Sequence, residues 1–264
     1  MNRYLNILFS DLKRAVLSYQ FVFAVIGIVL IKFPGIWTDL KHYQGADVLY
    51  FYNYALSEGI FCVYYLLCAF PCSTIFLQDW NNRFFRTEII RCGKNVYIVS
   101  KIITCIIVSI SAVFIAELLF VGILLNFCPL IDVNAACQSY NNLSETVTFG
   151  SYLKQSFWLY FFSMTSLEAL SGAFFAIFAM CISTKITNIF VVLSAPLLCQ
   201  YYLSMFLGIL SLPPWLDISC VSTGQYVFGD TNSSFIYGIT FFAITITLIS
   251  IVFAVNIKRK IHNA

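Results

Sequence analysis

Charge is what this sequence has least of. Only 10% of its 264 residues are Asp, Glu, Lys or Arg, while 60% are hydrophobic. Soluble domains carry about 25% charged residues, so a soluble globular chain is excluded. Histidine is nearly absent too: His42 and His262 are the only two, and they fall in segments assigned below to opposite sides of a membrane. No His-Glu-x-x-His occurs, so a histidine-based triad or zinc site within one chain is not expected. The chain also lacks Gly-x-x-x-x-Gly-Lys-Ser/Thr, since Gly93-Lys94-Asn95 has no preceding loop to cradle phosphates. Any ATP and Mg used with this chain must be bound by another polypeptide, and the chain itself is not expected to be an enzyme or to carry a cofactor. No internal repeat and no low-complexity linker interrupts the sequence. The net charge of +3 follows membrane topology and is no reason to expect a nucleic-acid partner.

What remains is a set of apolar stretches long enough to cross a bilayer. About 20 residues are needed for each crossing, and the stretches cover residues 19–33, 59–77, 99–127, 156–182, 186–210 and 236–257. The expectation is one all-α integral membrane domain over 1–264, with six transmembrane helices. Twelve of the fifteen basic residues fall on one side of that arrangement: Arg3, Lys13, Arg14, Arg83, Arg86, Arg91, Lys94, Lys101, Lys185, Lys258, Arg259 and Lys260. Lys32, Lys41 and Lys154 fall on the other. Lys and Arg near span ends are retained in the cytoplasm, so both termini are predicted to be cytoplasmic and the chain to sit in a cell membrane.

Residues 1–18 form an amphipathic pattern, with Leu5, Leu8, Phe9, Leu12 and Val16 at helical spacing and Arg3, Asp11, Lys13 and Arg14 elsewhere. Such a helix lies in the membrane interface. The first span is predicted to stop at Pro34-Gly35. It has no small-x-small cleavage site behind it, so a retained anchor is expected rather than a signal peptide. Gly35 to Glu58 is predicted to be an external loop whose Trp37, Tyr43, Tyr50 and Tyr52 suit the membrane–water boundary. Pro71 is a kink candidate in the second span. Among ten cysteines, Cys62, Cys68, Cys72, Cys105, Cys181 and Cys199 are expected to be small buried hydrophobes. Cys92 is expected to be cytoplasmic and reduced. Cys128 and Cys137 are external candidates for a disulfide whose geometry spacing does not establish.

The segment from Leu77 to Lys101 carries the most information. Asn81 or Asn82 could cap a short helix over 81–93, and Gly93 is placed to end it. Phe84, Phe85, Ile89 and Ile90 would mark one face, with Arg83, Arg86 and Arg91 beside them. That face could fill a groove on another protein or lie on anionic lipid.

Asp79, the short basic helix, Arg91-Cys92-Gly93 and Lys101 opening the next span resemble the ABC-2 type permease family. The whole-chain topology is similar as well. So is the tight joint at Ser183, Lys185 and Asn188, followed by Pro196. The resemblance implies the membrane subunit of an ATP-binding-cassette exporter, paired with an identical or different permease subunit and driven by separate ATPase subunits. It also implies that 81–93 is the coupling helix seated on the ATPase, braced by the N-terminal helix, and that part of Ser211 to Phe235 dips back into the outer leaflet. The substrate class it points to is a hydrophobic or amphipathic peptide or a lipid-like molecule, as in antimicrobial-peptide immunity permeases. A stand-alone immunity or sensor protein and a proton-coupled secondary transporter are the competing readings.

Two acidic residues, Glu117 and Glu168, fall deep within predicted spans. A central charge costs about 3 kcal/mol on insertion scales, so each is expected to face protein, water or a partner. Either they line a translocation path or relay protons, or they are held protonated or bonded to Ser163, Thr165, Ser166 or Ser171 as packing glue. Gly172-x-x-x-Ala176 and Ala112-x-x-x-Ala116 allow helices to approach closely.

Overall fold

A computed structural model describes the backbone of all residues except 1, 43–45, 59–60, 83, 133–138, 147, 225, 227 and 263–264. Within the described helices, the side chains of 2–4, 38, 41–42, 56–58, 61–62, 74–75, 139, 143 and 145–146 also lie outside the description. Arg3, Arg83, Lys41, Cys62 and Cys137 are thus beyond it, and the Cys128–Cys137 pairing with them.

The described residues form helices and turns, with no strand among them. In order they are α1 (Asn2–Val16), α2 (Tyr19–His42), α3 (Val48–Glu58), α4 (Phe61–Asn81), α5 (Phe84–Cys92) and α6 (Lys94–Leu124), then α7 (Ser139–Thr146), α8 (Gly150–Gln155), α9 (Phe157–Ser183), α10 (Ile189–Ile209), α11 (Ile218–Ser222) and α12 (Thr231–His262). Five helices among the described residues are long and apolar enough to cross a membrane: α2 over Tyr19–Trp37, α6, α9, α10 and α12. These are the dimensions of a multi-pass membrane protein.

The helix α9 occupies the centre, packed by α4, α6, α10 and α12. Its apolar window is 72% buried, against 17% for that of α10. Small residues make this possible. A Cβ on Gly172 would stand 2.9 Å from the Cys68 sulfur, and one on Gly238 would stand 2.8 Å from Leu167 Cδ2. The small-residue spacing in α9 therefore serves packing inside the chain, where α4 reaches Gly172 and α12 reaches Leu167.

Contacts between helix ends give the bundle its direction. Asn256 lies 3.7 Å from the Cys181 sulfur, Lys260 stands over the Trp80 ring at 4.2 Å, and Arg14 reaches Asp79 at 2.7 Å. The C-terminal ends of α4, α9 and α12 thus meet at one end of the bundle, together with α1, α5 and the start of α6.

Several segments depart from the sequence expectation. The helix α2 does not stop at Pro34 but runs through it to His42, with Ile36 fully buried. Proline removes one intrahelical donor, yet neighbouring helices sustain such helices by packing. The α4 helix also continues through Pro71, as the span expected over 59–77 does. The expected external loop before Glu58 is largely helical. Asp47 caps α3 by accepting from the Tyr50 amide at 2.8 Å, and Leu49, Phe51, Tyr52 and Ala55 turn into the core. Within Ser211 to Phe235, a 3₁₀ turn (Pro214–Leu216) leads into α11, which packs back against α9 with Ile218 and Val221 buried.

Candidate functional site

Two clusters of buried charge are built from residues far apart in sequence. The first lies where α1, α4, α5 and α6 meet. The Lys101 ammonium is 2.9 Å from Asp11 of α1, 3.1 Å from Asp79 of α4 and 3.2 Å from Glu88 of α5. Ser100 donates to the second Asp11 oxygen at 2.8 Å, and Arg14 donates to the second Asp79 oxygen at 2.7 Å. One lysine therefore ties three other helices to the start of α6. Burial pushes the Glu88 carboxyl above its ordinary value, opposed by Lys101 and reinforced by Asp11 and Asp79. A cleft of about 520 Å³ opens beside the cluster, lined by Asp11, Arg14, Asn82, Phe84, Glu88 and Arg91 among others.

The short α5 is anchored at this cleft. Phe85 is buried and stacks on Trp80, ring centroids 4.1 Å apart, with the Arg86 guanidinium 5.9 Å from its ring. Phe84 is 47% exposed beneath the Arg14 guanidinium, and Ile90 is 84% exposed. The expected single apolar face of Phe84, Phe85, Ile89 and Ile90 is thus divided. Phe85 and Ile89, four residues apart, share the inward face of the helix, with Phe85 buried and Ile89 packed against the core. Phe84 and Ile90 point away, and Arg91 lines the cleft. Asn81 is the last residue of α4 rather than a cap of α5. Gly93 ends α5 at φ +84°, a conformation that side chains disfavour, although open space surrounds it.

The second cluster is sealed inside the bundle. Lys32, which the basic pattern assigned to the outside, is 4% exposed and lies 2.5 Å from Glu117. Its ammonium also stands over the rings of Tyr52 and Phe120, 5.4 and 5.3 Å from their centroids. The first span therefore carries a buried cation, held there because α6 presents an opposite charge. Glu168 of α9 is buried beside this pair, within hydrogen-bonding reach of Glu117. The hydroxyls expected to satisfy it are committed elsewhere. Ser163 and Ser166 donate to carbonyls of their own helix, Ser171 donates to the backbone oxygen of Glu168, and Thr165 pairs with Tyr52. Among the described residues no hydrogen-bond donor reaches either Glu168 carboxyl oxygen, or the second oxygen of Glu117.

Asp11, Arg14, Glu88 and Lys32 escaped functional notice in the sequence. Lys32 alone left a signal there, as a basic residue inside an otherwise apolar run. Among the described residues no group of three or more His, Cys, Asp or Glu is arranged to hold a metal. No protein-family model matches the chain, and neither a curated protein nor a solved structure does so.

Proposed function

We propose that this chain is the membrane subunit of an ATP-binding-cassette exporter, with the α5 end facing the cytoplasm. The observation that carries this reading is the bracing of α5. Its carboxylate and its buried phenylalanine fasten it to α4 and α6, and Lys101 extends the link to α1. A push on α5 from a soluble partner passes into those helices at once, which is what a coupling helix requires. In this reading α4 is a sixth span, α1 lies in the interface, and both termini are cytoplasmic. A partner ATPase binds ATP and Mg. A second permease subunit, identical or not, completes a path for an amphipathic peptide or lipid-like substrate. The ATPase contact is made by Phe84, Ile90 and Arg91, which are exposed on α5 along with Arg86, since Phe85 is occupied.

The test is co-purification with the ATPase encoded nearest this chain, comparing wild type with F84A/I90A. Loss of the ATPase from a folded double variant is the expected result. Equal retention, or no ATPase with folded wild type, overturns the coupling role. A proton-coupled transporter is the second reading, favoured by the buried Glu168 carboxyl, which no donor among the described residues reaches. Transport driven by a pH gradient in vesicles without ATPase would select it.

A further inference from the structure

We infer that Glu117 and Glu168 hold one proton between them, as a carboxylic acid donating to a carboxylate beside Lys32. The site is independent of what the bundle transports. Its basis is a missing donor. Ionised carboxylate oxygens only accept hydrogen bonds. Three of the four oxygens here, Glu117 Oε2 and both of Glu168, are buried without a donor among the described residues. The two side chains lie within hydrogen-bonding reach of each other, so two acceptors face one another. Burying them that way is costly unless a hydrogen lies between them.

Among the described residues the surroundings supply no other donor to these three oxygens. The groups facing the pair include Lys32 on α2, Tyr52 on α3, Tyr64, Tyr65 and Cys68 on α4, and Tyr160 on α9. Lys32 binds the first oxygen of Glu117, Tyr52 pairs with Thr165, Tyr64 donates to the Glu168 backbone, and Tyr160 donates to Asn53. Charge gives the same count. One ammonium against two carboxylates leaves an excess of one negative charge in a medium that cannot solvate it. One proton from bulk water, added to a carboxylate to make a carboxylic acid, removes both the excess and the facing acceptors. A metal ion is a poor alternative, because the ammonium already occupies the position that would attract it.

The experiment is infrared spectroscopy of the protein in bilayers, unlabelled and with carbon-13 glutamate, at neutral and mildly alkaline pH. The expected result is a carboxylic-acid carbonyl band that shifts with the label, persists at mildly alkaline pH and disappears in E168Q. In K32M the band gains about twice its intensity, as the second carboxyl takes up a proton in place of the lost ammonium. Absence of a label-sensitive acid band in the wild type overturns the inference without any variant. So does a band that survives in both folded E168Q and folded E117Q. If the glutamine variants do not fold, E168D and E117D retain a carboxyl at each position. The label shift must vanish in one of them, and its retention in both assigns the proton elsewhere.

Discussion

Two lysines sit among more carboxylates than they can neutralise, and the excess is the same. Around Lys101, two cations (with Arg14) meet three carboxylates (Asp11, Asp79 and Glu88), an excess of one negative charge. Around Lys32, one cation meets two carboxylates, again an excess of one. The surroundings differ. The Lys101 cluster borders an open cleft, and Arg14 is 46% exposed. The Lys32 cluster is walled by Tyr52, Phe120 and Thr165, each nearly or fully buried. Solvent can balance the first cluster, whereas protonation must balance the second. The same local arithmetic thus produces a mechanical tie at one place and a proton site at the other.

The sharpest way to break this comparison is K101M. It strands carboxylates from three helices, and removing one partner of a buried pair costs about 3–5 kcal/mol. Thermal unfolding in detergent should show a loss of that order, partly recovered by D79N in the same chain. Next in size is F85A, which empties a buried site against Trp80 and should cost about 3 kcal/mol. F84A, at an exposed ring, should fall within about 0.5 kcal/mol of wild type. Equal losses for the two would mean that α5 is not docked as described.

K32M is expected to cost less than K101M, about 1–2 kcal/mol, because uptake of a second proton removes the stranded charge. A loss as large as that of K101M would erase the distinction between the clusters. Smallest is E88Q. Burial raises the Glu88 pKa, so the folded state favours its protonated form. That contribution is full below the ordinary glutamate value of about 4.3 and is lost as pH rises through the raised value. Wild type should therefore lose stability across that interval relative to E88Q, by less than about 1 kcal/mol given its partial exposure. A parallel pH profile for the two proteins would remove Glu88 from the cluster.

Much of the fold was legible because membrane helices announce themselves by uninterrupted apolarity. The ends of α9 and α10 lie within three residues of the sequence expectation and those of α6 and α12 within five, and the stop at Gly93 was visible from residue type alone. Proline misled at Pro34, because packing of α2 on α4 and α6 outweighs one missing donor. The aromatic-rich stretch before Glu58 misled as well. Tyr52 looks like an interfacial anchor, but it is fully buried and helps enclose Lys32. In α5, the run of Phe84 and Phe85 could not reveal which ring turns inward, since adjacent residues sit about 100° apart and only Trp80 chooses between them.

Composition and patterning alone determined that the chain is helical, apolar and asymmetric in its basic residues, because each of those properties is local. The pairing of charges was decided only by tertiary structure. Arg14 meets Asp79 across 65 residues, Lys32 meets Glu117 across 85, and Lys101 meets Asp11 across 90. A buried charge is tolerated only where an opposite charge or a proton is brought to it. Which residue brings it depends on how the helices pack, and the linear sequence does not contain that distance.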